Sequence, residues 1–184
     1  MAIIQSNECM SIINNQYLSR KRIEMGKRLL QSMIIPTLTF GAETWGKLTE
    51  KEKDGINSVQ TDYLIKLLNV PRTTPKCALI GALNLTKIGH IANTRKLQYY
   101  VDLQNREEWK LEVKMQKIQQ NKNMSYDREI KELKEKYNIN ISLKGENHWK
   151  IKNYIRDKIK KINDLEIEEE IKSGKKTMNT TKGT

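Results

Sequence analysis

Residues 49–69 read Thr49-Glu-Lys-Glu-Lys-Asp-Gly-Ile-Asn-Ser-Val-Gln-Thr-Asp-Tyr-Leu-Ile-Lys-Leu-Leu-Asn69. Thr49 stands three residues ahead of Glu52, the spacing of a capping box, in which a hydroxyl and a carboxylate satisfy N–H groups that a helix start leaves without partners. Ile56, Val59, Tyr63, Leu64, Leu67 and Leu68 then recur at steps of three and four, which puts one apolar stripe on one face of a helix. The pattern stops at Asn69, ahead of Pro71. A single helix of this length sets the expectation for the whole chain, which is an all-α fold.

The same signals repeat on either side. Downstream, Thr74-Pro75 places a cap before a proline at the first helical position and predicts a short helix through about Ala82. A longer one is expected after Thr86, carrying Ile88, Ile91, Leu97, Tyr100 and Val101. Upstream, Ser19 can cap a helix through about Ile35, with Ile23, Gly26, Leu30 and Met33 or Ile34 along its buried side. Pro36 disfavours helical geometry at Ile35 and predicts a boundary or kink there.

From about Asn105 the charge becomes dense and the apolar residues thin out: Trp109, Leu111, Val113, Met115, Ile118. Ser125 can cap a helix with Ile130, Leu133 and Tyr137. Ser142 or Asn147 can start another with Trp149, Ile151, Ile155, Ile159 and Ile162. The expected organisation is a thumb-like helical bundle over residues 1–105, a charged helical extension over 106–172, and a disordered tail over 173–184 after the acidic cluster Glu166, Glu168, Glu169 and Glu170. No internal repeat is evident.

Composition agrees with helices. Of the 184 residues, 37% are hydrophobic and 30% charged, with 3 prolines and 9 glycines, too few turn formers for a sandwich or barrel. The net charge of +12 attracts polyanions over a Debye length of roughly 8–10 Å, so nucleic acid is the first partner to consider. A Lys-, Asn- and Ile-rich composition also follows from an AT-rich genome, and charge alone does not separate the two origins. Cys9 and Cys77 lie far apart with no histidine pair nearby, which argues against a zinc site or a disulfide scaffold and for a reduced, intracellular setting. No stretch reaches the roughly 18–20 apolar residues of a membrane span, and the N-terminus lacks the pattern of a leader.

Residues 32–45, Ser-Met-Ile-Ile-Pro-Thr-Leu-Thr-Phe-Gly-Ala-Glu-Thr-Trp, carry a more specific signal. An apolar helix running into proline and then into Phe40-Gly41-Ala42-Glu43-Thr44-Trp45 resembles the segment just downstream of the catalytic palm in reverse transcriptases of non-LTR (LINE-type) retrotransposons. The resemblance continues through Leu48-Thr49, through Tyr63–Arg72 and through Arg95-Lys96-Leu97-Gln98-Tyr99-Tyr100, covering about residues 19–100 in order. Many relatives have more arginines, and a Trp or Gly-His, where this chain has Gln98-Tyr99-Tyr100-Val101. The resemblance implies the thumb or connection region of such an enzyme, cut from a larger reading frame or left by a decayed element. It would pack beside the palm and hold primer–template by its backbone.

Reverse transcription needs paired aspartates on a tight hairpin and a third upstream, holding two metal ions. The chain has no Asp-Asp dipeptide, and Asp54, Asp62, Asp102, Asp127, Asp157 and Asp164 read as solvated surface residues. The expectation is therefore a non-catalytic chain without cofactor, metal or small-molecule ligand, its polymerase site upstream of Met1. His90 and His148 are unpaired in sequence and read as structural. The glycines form no phosphate loop; Gly41 and Gly46 mark the turn around Trp45.

A backbone grip needs basic exposed faces rather than acids, bases or nucleophiles. The candidates are Arg20, Lys21, Arg22, Lys27 and Arg28 on the first helix, then Arg72 with Lys76, then Arg95 with Lys96. Tyr99 and Tyr100 can stack on bases, but helical spacing with Leu97 and Val101 favours the core for Tyr100. Trp45, Trp109 and Trp149 read as packing residues. Ile34, Ile35, Leu38, Phe40 and Trp45 form a candidate patch for docking to a palm. The alternative function is a non-catalytic helical scaffold, or an inert remnant.

Overall fold

The computed structural model describes residues 20–121, 125–139 and 148–180, and among them every regular element is helical, with no strand. In chain order these are α1 (Arg20–Leu29), a π-helical turn (Leu30–Ile34), α2 (Ile35–Leu38), a 3-10 turn (Ala42–Thr44), α3 (Glu50–Leu68), α4 (Lys76–Ala82), α5 (Ile88–Gln104), α6 (Leu111–Asn121), α7 (Ser125–Lys136) and α8 (His148–Thr180). The all-α expectation holds. Helix α3 begins directly after Thr49, and the caps expected at Ser19, Ser142 and Asn147 lie outside the described residues.

Three helices end by one device. Asn69, Asn84 and Asn138 have φ of 51°, 49° and 48°, in the left-handed region that asparagine tolerates better than other residues with a Cβ. The N–H of the apolar residue that follows reaches back to a carbonyl of the last turn: Val70 to Ile65 at 3.2 Å, Leu85 to Ile80 at 3.0 Å, Ile139 to Lys134 at 2.8 Å. Leu85 and Ile139 are themselves buried, so each of those two termini is also closed by an apolar contact.

Pro36 does not end its helix. A π turn over Leu30–Ile34 widens the spiral just before it, with the Ile35 N–H bonded to the Leu30 carbonyl, and α2 continues through the proline to Leu38. The wider turn makes room for a ring that would collide with a carbonyl of the preceding turn. The Thr37 and Thr39 hydroxyls take up the Met33 and Ile35 carbonyls at 2.8 and 2.7 Å. The expected boundary at Ile35 thus moves to Thr39, followed by Gly41 at φ 69°.

Contacts divide the chain into two units that interleave along it, rather than at residue 105. One comprises described residues 20–40, 50–89 and 163–180; the other comprises 41–49 and 90–162. In the first, Leu30, Ile34, Tyr63, Leu64, Leu67, Leu79, Ile80 and Ile88 are buried. The Tyr63 hydroxyl donates to the Gly26 carbonyl at 2.9 Å, and a Cβ on Gly26 would lie 2.3 Å from Leu67 Cδ1, so glycine is what lets α1 and α3 approach. The start of α5 is held by distant side chains. Asn163 accepts from the Lys87 N–H at 3.0 Å and donates to the Leu85 carbonyl at 3.3 Å; Asn57 accepts from the Gly89 N–H at 3.2 Å; Gln60 donates to the Thr86 carbonyl at 3.0 Å.

The core of the second unit is Leu97 and Val101 of α5, Ile130 and Leu133 of α7 with Tyr137 and Ile139, and Ile151, Ile155 and Ile159 of α8. Tyr100 packs against it, as its spacing suggested. The Tyr137 hydroxyl accepts from the Asn93 amide and bonds His90 Nδ1, each at 2.9 Å. Two expectations fail here. Trp109 and Trp149 are each 70% exposed, because the turn before α6 and the first turn of α8 leave them outside the packed faces. The helix also continues past Ser173 to Thr180, so the tail expected from residue 173 is helical as far as it is described; no proline interrupts it, and Lys172 pairs with Glu168 one turn back at 3.7 Å.

Candidate nucleic-acid interface

The first basic cluster is split by its own helix. At 100° per residue, Lys21 and Arg28 fall on the side of α1 opposite Gly26 and Leu30, and both are exposed. Glu24 lies between them on the same face and dilutes the positive charge. Arg22 is partly buried. Lys27 points elsewhere: its ammonium donates to the Leu83 carbonyl at 2.6 Å, placing a cation on the C-terminal end of α4, where helix carbonyls are in excess. Arg20 opens the helix, but its side chain lies outside the described residues.

Arg72, in the turn after α3, and Lys76, the first residue of α4, are exposed in the same unit as Lys21 and Arg28. The third pair differs. Arg95 is half-buried, and Lys96 is 3% exposed, its ammonium 2.6 Å from the Glu129 carboxylate of α7. Lys96 therefore does not belong to a solvent-facing basic surface. It lies on the face of α5 that turns towards α7, and burial requires it to be paired.

One basic face is absent from the candidates that sequence alone suggests. On the N-terminal half of α8, Ile151, Ile155 and Ile159 turn inward, while Lys150, Arg156, Lys160 and Lys161 are exposed with no carboxylate partner among the described residues. Exposed Trp149 and Tyr154 stand among them, with the Lys158 ammonium 5.6 Å from the Tyr154 ring centroid. The signal was present: between Lys150 and Lys161 the only acid is Asp157.

Two of the aspartates and both histidines are held by partners within the second unit. Asp127 is buried at the start of α7 and bonds Lys131 at 3.0 Å, and Asp102 receives Lys152 at 2.8 Å and the His148 ring. Neither is the solvated residue expected, because each meets a cation from its own helix or from α8. Among the described residues no group of three His, Cys, Asp or Glu side chains could hold a metal ion, and no helix is long and apolar enough to cross a membrane. Of the expected docking patch, Ile34 and Ile35 are buried and Leu38 and Trp45 partly so, whereas Phe40 is 83% exposed.

These features define the chain as an all-α protein with exposed basic helical faces. Comparison with protein-family models, with curated proteins and with solved structures gives no match.

Proposed function

We propose that the chain is the thumb or connection region of a LINE-type reverse transcriptase, which binds the backbone of RNA or DNA without sequence preference and brings no catalytic aspartates of its own. The block resemblance from Ser32 to Trp45 motivates the reading. The observation that carries it is the set of exposed cations Lys21, Arg28, Arg72 and Lys76 in one unit. Such side chains contact phosphates without reading bases. Lys150, Arg156, Lys160 and Lys161 are a second set suited to the same work. Exposed Phe40, inside the family-like string, is the residue for a palm domain to cover.

The test is binding of the purified chain to a fluorescent RNA–DNA hybrid across a salt series. Log affinity should fall linearly with log salt, and changing either set of four cations to glutamine should flatten the slope by about 0.9 for each phosphate that is no longer neutralised. No binding at low salt, or slopes that neither set alters, sinks the proposal.

One observation favours a scaffold protein instead. Trp109, Leu111, Met115 and Ile118 form an exposed apolar stripe on and before α6, a surface of the kind that packs on another protein. A chain that binds no hybrid but self-associates or captures a helical partner through this stripe would fit that second reading.

A further inference from the structure

Charge is sorted along α8. Between residues 148 and 161 stand Lys150, Lys152, Arg156, Lys158, Lys160 and Lys161 against the single acid Asp157, whereas residues 162–171 hold Asp164, Glu166, Glu168, Glu169 and Glu170 and no lysine or arginine. A lysine-rich genome scatters lysine; it does not separate the two signs within one helix. The basic half lies wholly in the second unit.

Within that half the exposed side chains are ordered. Lys152 is engaged by Asp102, and the Lys158 ammonium lies 5.6 Å from the Tyr154 ring centroid. At 100° per residue, Trp149, Asn153, Arg156 and Lys160 fall within a strip about 60° wide, while Ile151, Ile155 and Ile159 turn inward. Trp149 is 70% exposed, Arg156 and Lys160 are exposed, and Asn153 is partly so. The strip runs for about 16 Å at 1.5 Å per residue, and Asp157 falls outside it. It therefore holds an open aromatic ring, an amide and two cations in line, with no carboxylate among them.

We infer that this strip binds single-stranded nucleic acid, Trp149 stacking on an unpaired base while Arg156 and Lys160 meet phosphates further along the strand. A stacking platform beside cations suits a single strand, because each base has a face that an aromatic ring can cover. Along a duplex those faces are already covered by neighbouring base pairs, so the ring has nothing to stack on there. A basic helix with an exposed tryptophan also occurs on membrane surfaces, but such a helix buries a broad apolar face in the lipid. Here the apolar face of α8 is already buried in the second core. The inference rests on the reading above in that the partner is nucleic acid; it adds that α8 takes an unpaired strand, and the backbone grip can stand without it.

The experiment uses the full chain with a fluorescein-labelled oligothymidylate, which does not pair with itself, and the RNA–DNA hybrid as reference. Trp149→Leu should weaken oligothymidylate binding about tenfold, as loss of one base–aromatic stack does, and leave its salt slope unchanged. Trp149→Phe, which keeps an aromatic face, should restore most of that affinity. Hybrid binding should be the same in the wild type and in both of these variants. Arg156→Gln together with Lys160→Gln leaves the ring in place and should flatten the oligothymidylate slope by about 0.7 for each phosphate no longer neutralised. Oligothymidylate should also quench the tryptophan emission of the wild type, and Trp149→Leu should lose that quench. Each variant changes an exposed side chain, so circular dichroism should match the wild type. Full oligothymidylate affinity in Trp149→Leu overturns the inference and leaves the hybrid grip standing. An equal loss on oligothymidylate and hybrid overturns it as well, since stacking on an unpaired base has no counterpart on the duplex. No binding to either ligand sinks both readings. Vesicles of phosphatidylcholine and phosphatidylserine form the last arm: binding to them that depends on Trp149, without binding to oligothymidylate, assigns the strip to a membrane surface and overturns the inference.

Discussion

The Lys96 ammonium and the Glu129 carboxylate meet at 2.6 Å with both side chains buried, joining α5 to α7 through a charge pair inside the second unit. The Lys96 ammonium also reaches the Gly46 carbonyl at 3.5 Å, while the second carboxylate oxygen of Glu129 has no partner among the described residues. Such a pair need not stabilise relative to apolar residues, but breaking it strands a charge. Lys96→Met should therefore cost about 3–5 kcal/mol, and Lys96→Met with Glu129→Leu should recover most of that loss. Urea denaturation of the single and double variants measures both. The double variant should keep the salt slope of nucleic-acid binding, because Lys96 is out of reach of solvent.

Lys27 makes the complementary case on the first unit. Its ammonium sits on the Leu83 carbonyl, so Lys27→Met should lower stability by about 0.5–2 kcal/mol through the end of α4. Hybrid binding, measured where both proteins are folded, should keep its salt dependence, whereas Arg28→Gln should leave stability unchanged and flatten the slope.

Gly26 tests the approach of α1 to α3. Gly26→Ala places a methyl carbon 2.3 Å from Leu67 Cδ1, and the resulting overpacking should cost about 1–3 kcal/mol despite alanine's better helix propensity. If Leu67→Ala costs less in the Gly26→Ala background than in the wild type, the clash is the cause; strictly additive losses would refute it.

The asparagine caps give a signed pair of substitutions. Asn138→Ala forces an ordinary residue into a backbone conformation at φ 48° and should cost about 1–2 kcal/mol, while Asn138→Gly should be neutral or slightly stabilising. Thermal unfolding of the two variants decides this, and equal losses would show that the asparagine side chain itself is what matters.

Alkaline pH should weaken the fold through Tyr126 and Tyr100. Both phenols are held above their usual value of about 10, in each case chiefly by burial. Below about pH 10 neither the folded nor the unfolded chain releases these protons, so no stability is at stake there. Above it the unfolded chain ionises first and binds fewer protons, so stability falls as pH rises. Tyr126→Phe should reduce that fall, and in ultraviolet titration the part of the absorbance change lost in Tyr126→Phe and Tyr100→Phe should appear only as the helices melt.

The helices were legible because their signals are local. Thr49 with Glu52, the spacing from Ile56 to Leu68, and the isoleucines from Ile151 to Ile159 each announce an element by neighbours within a few turns. What failed depended on neighbours far away in sequence. Lys96 reads as one half of a basic patch until Glu129 is brought to it, and Lys27 reads as a surface cation until the end of α4 arrives. Pro36 read as a boundary or a kink, and the π turn that carries the helix past it has no sequence signature comparable to a cap. The basic face of α8 was readable in charge alone.

Asn163 and Ile167 belong with the first unit although they follow every residue of the second. Synthesis from the ribosome therefore delivers all of residues 90–162 before the segment whose amide holds the Leu85 and Lys87 backbone has emerged. The first unit is completed only after the second. A chain cut after residue 162 would carry a finished second core and a first one still lacking its final piece, and proteases would meet the first unit's segments first.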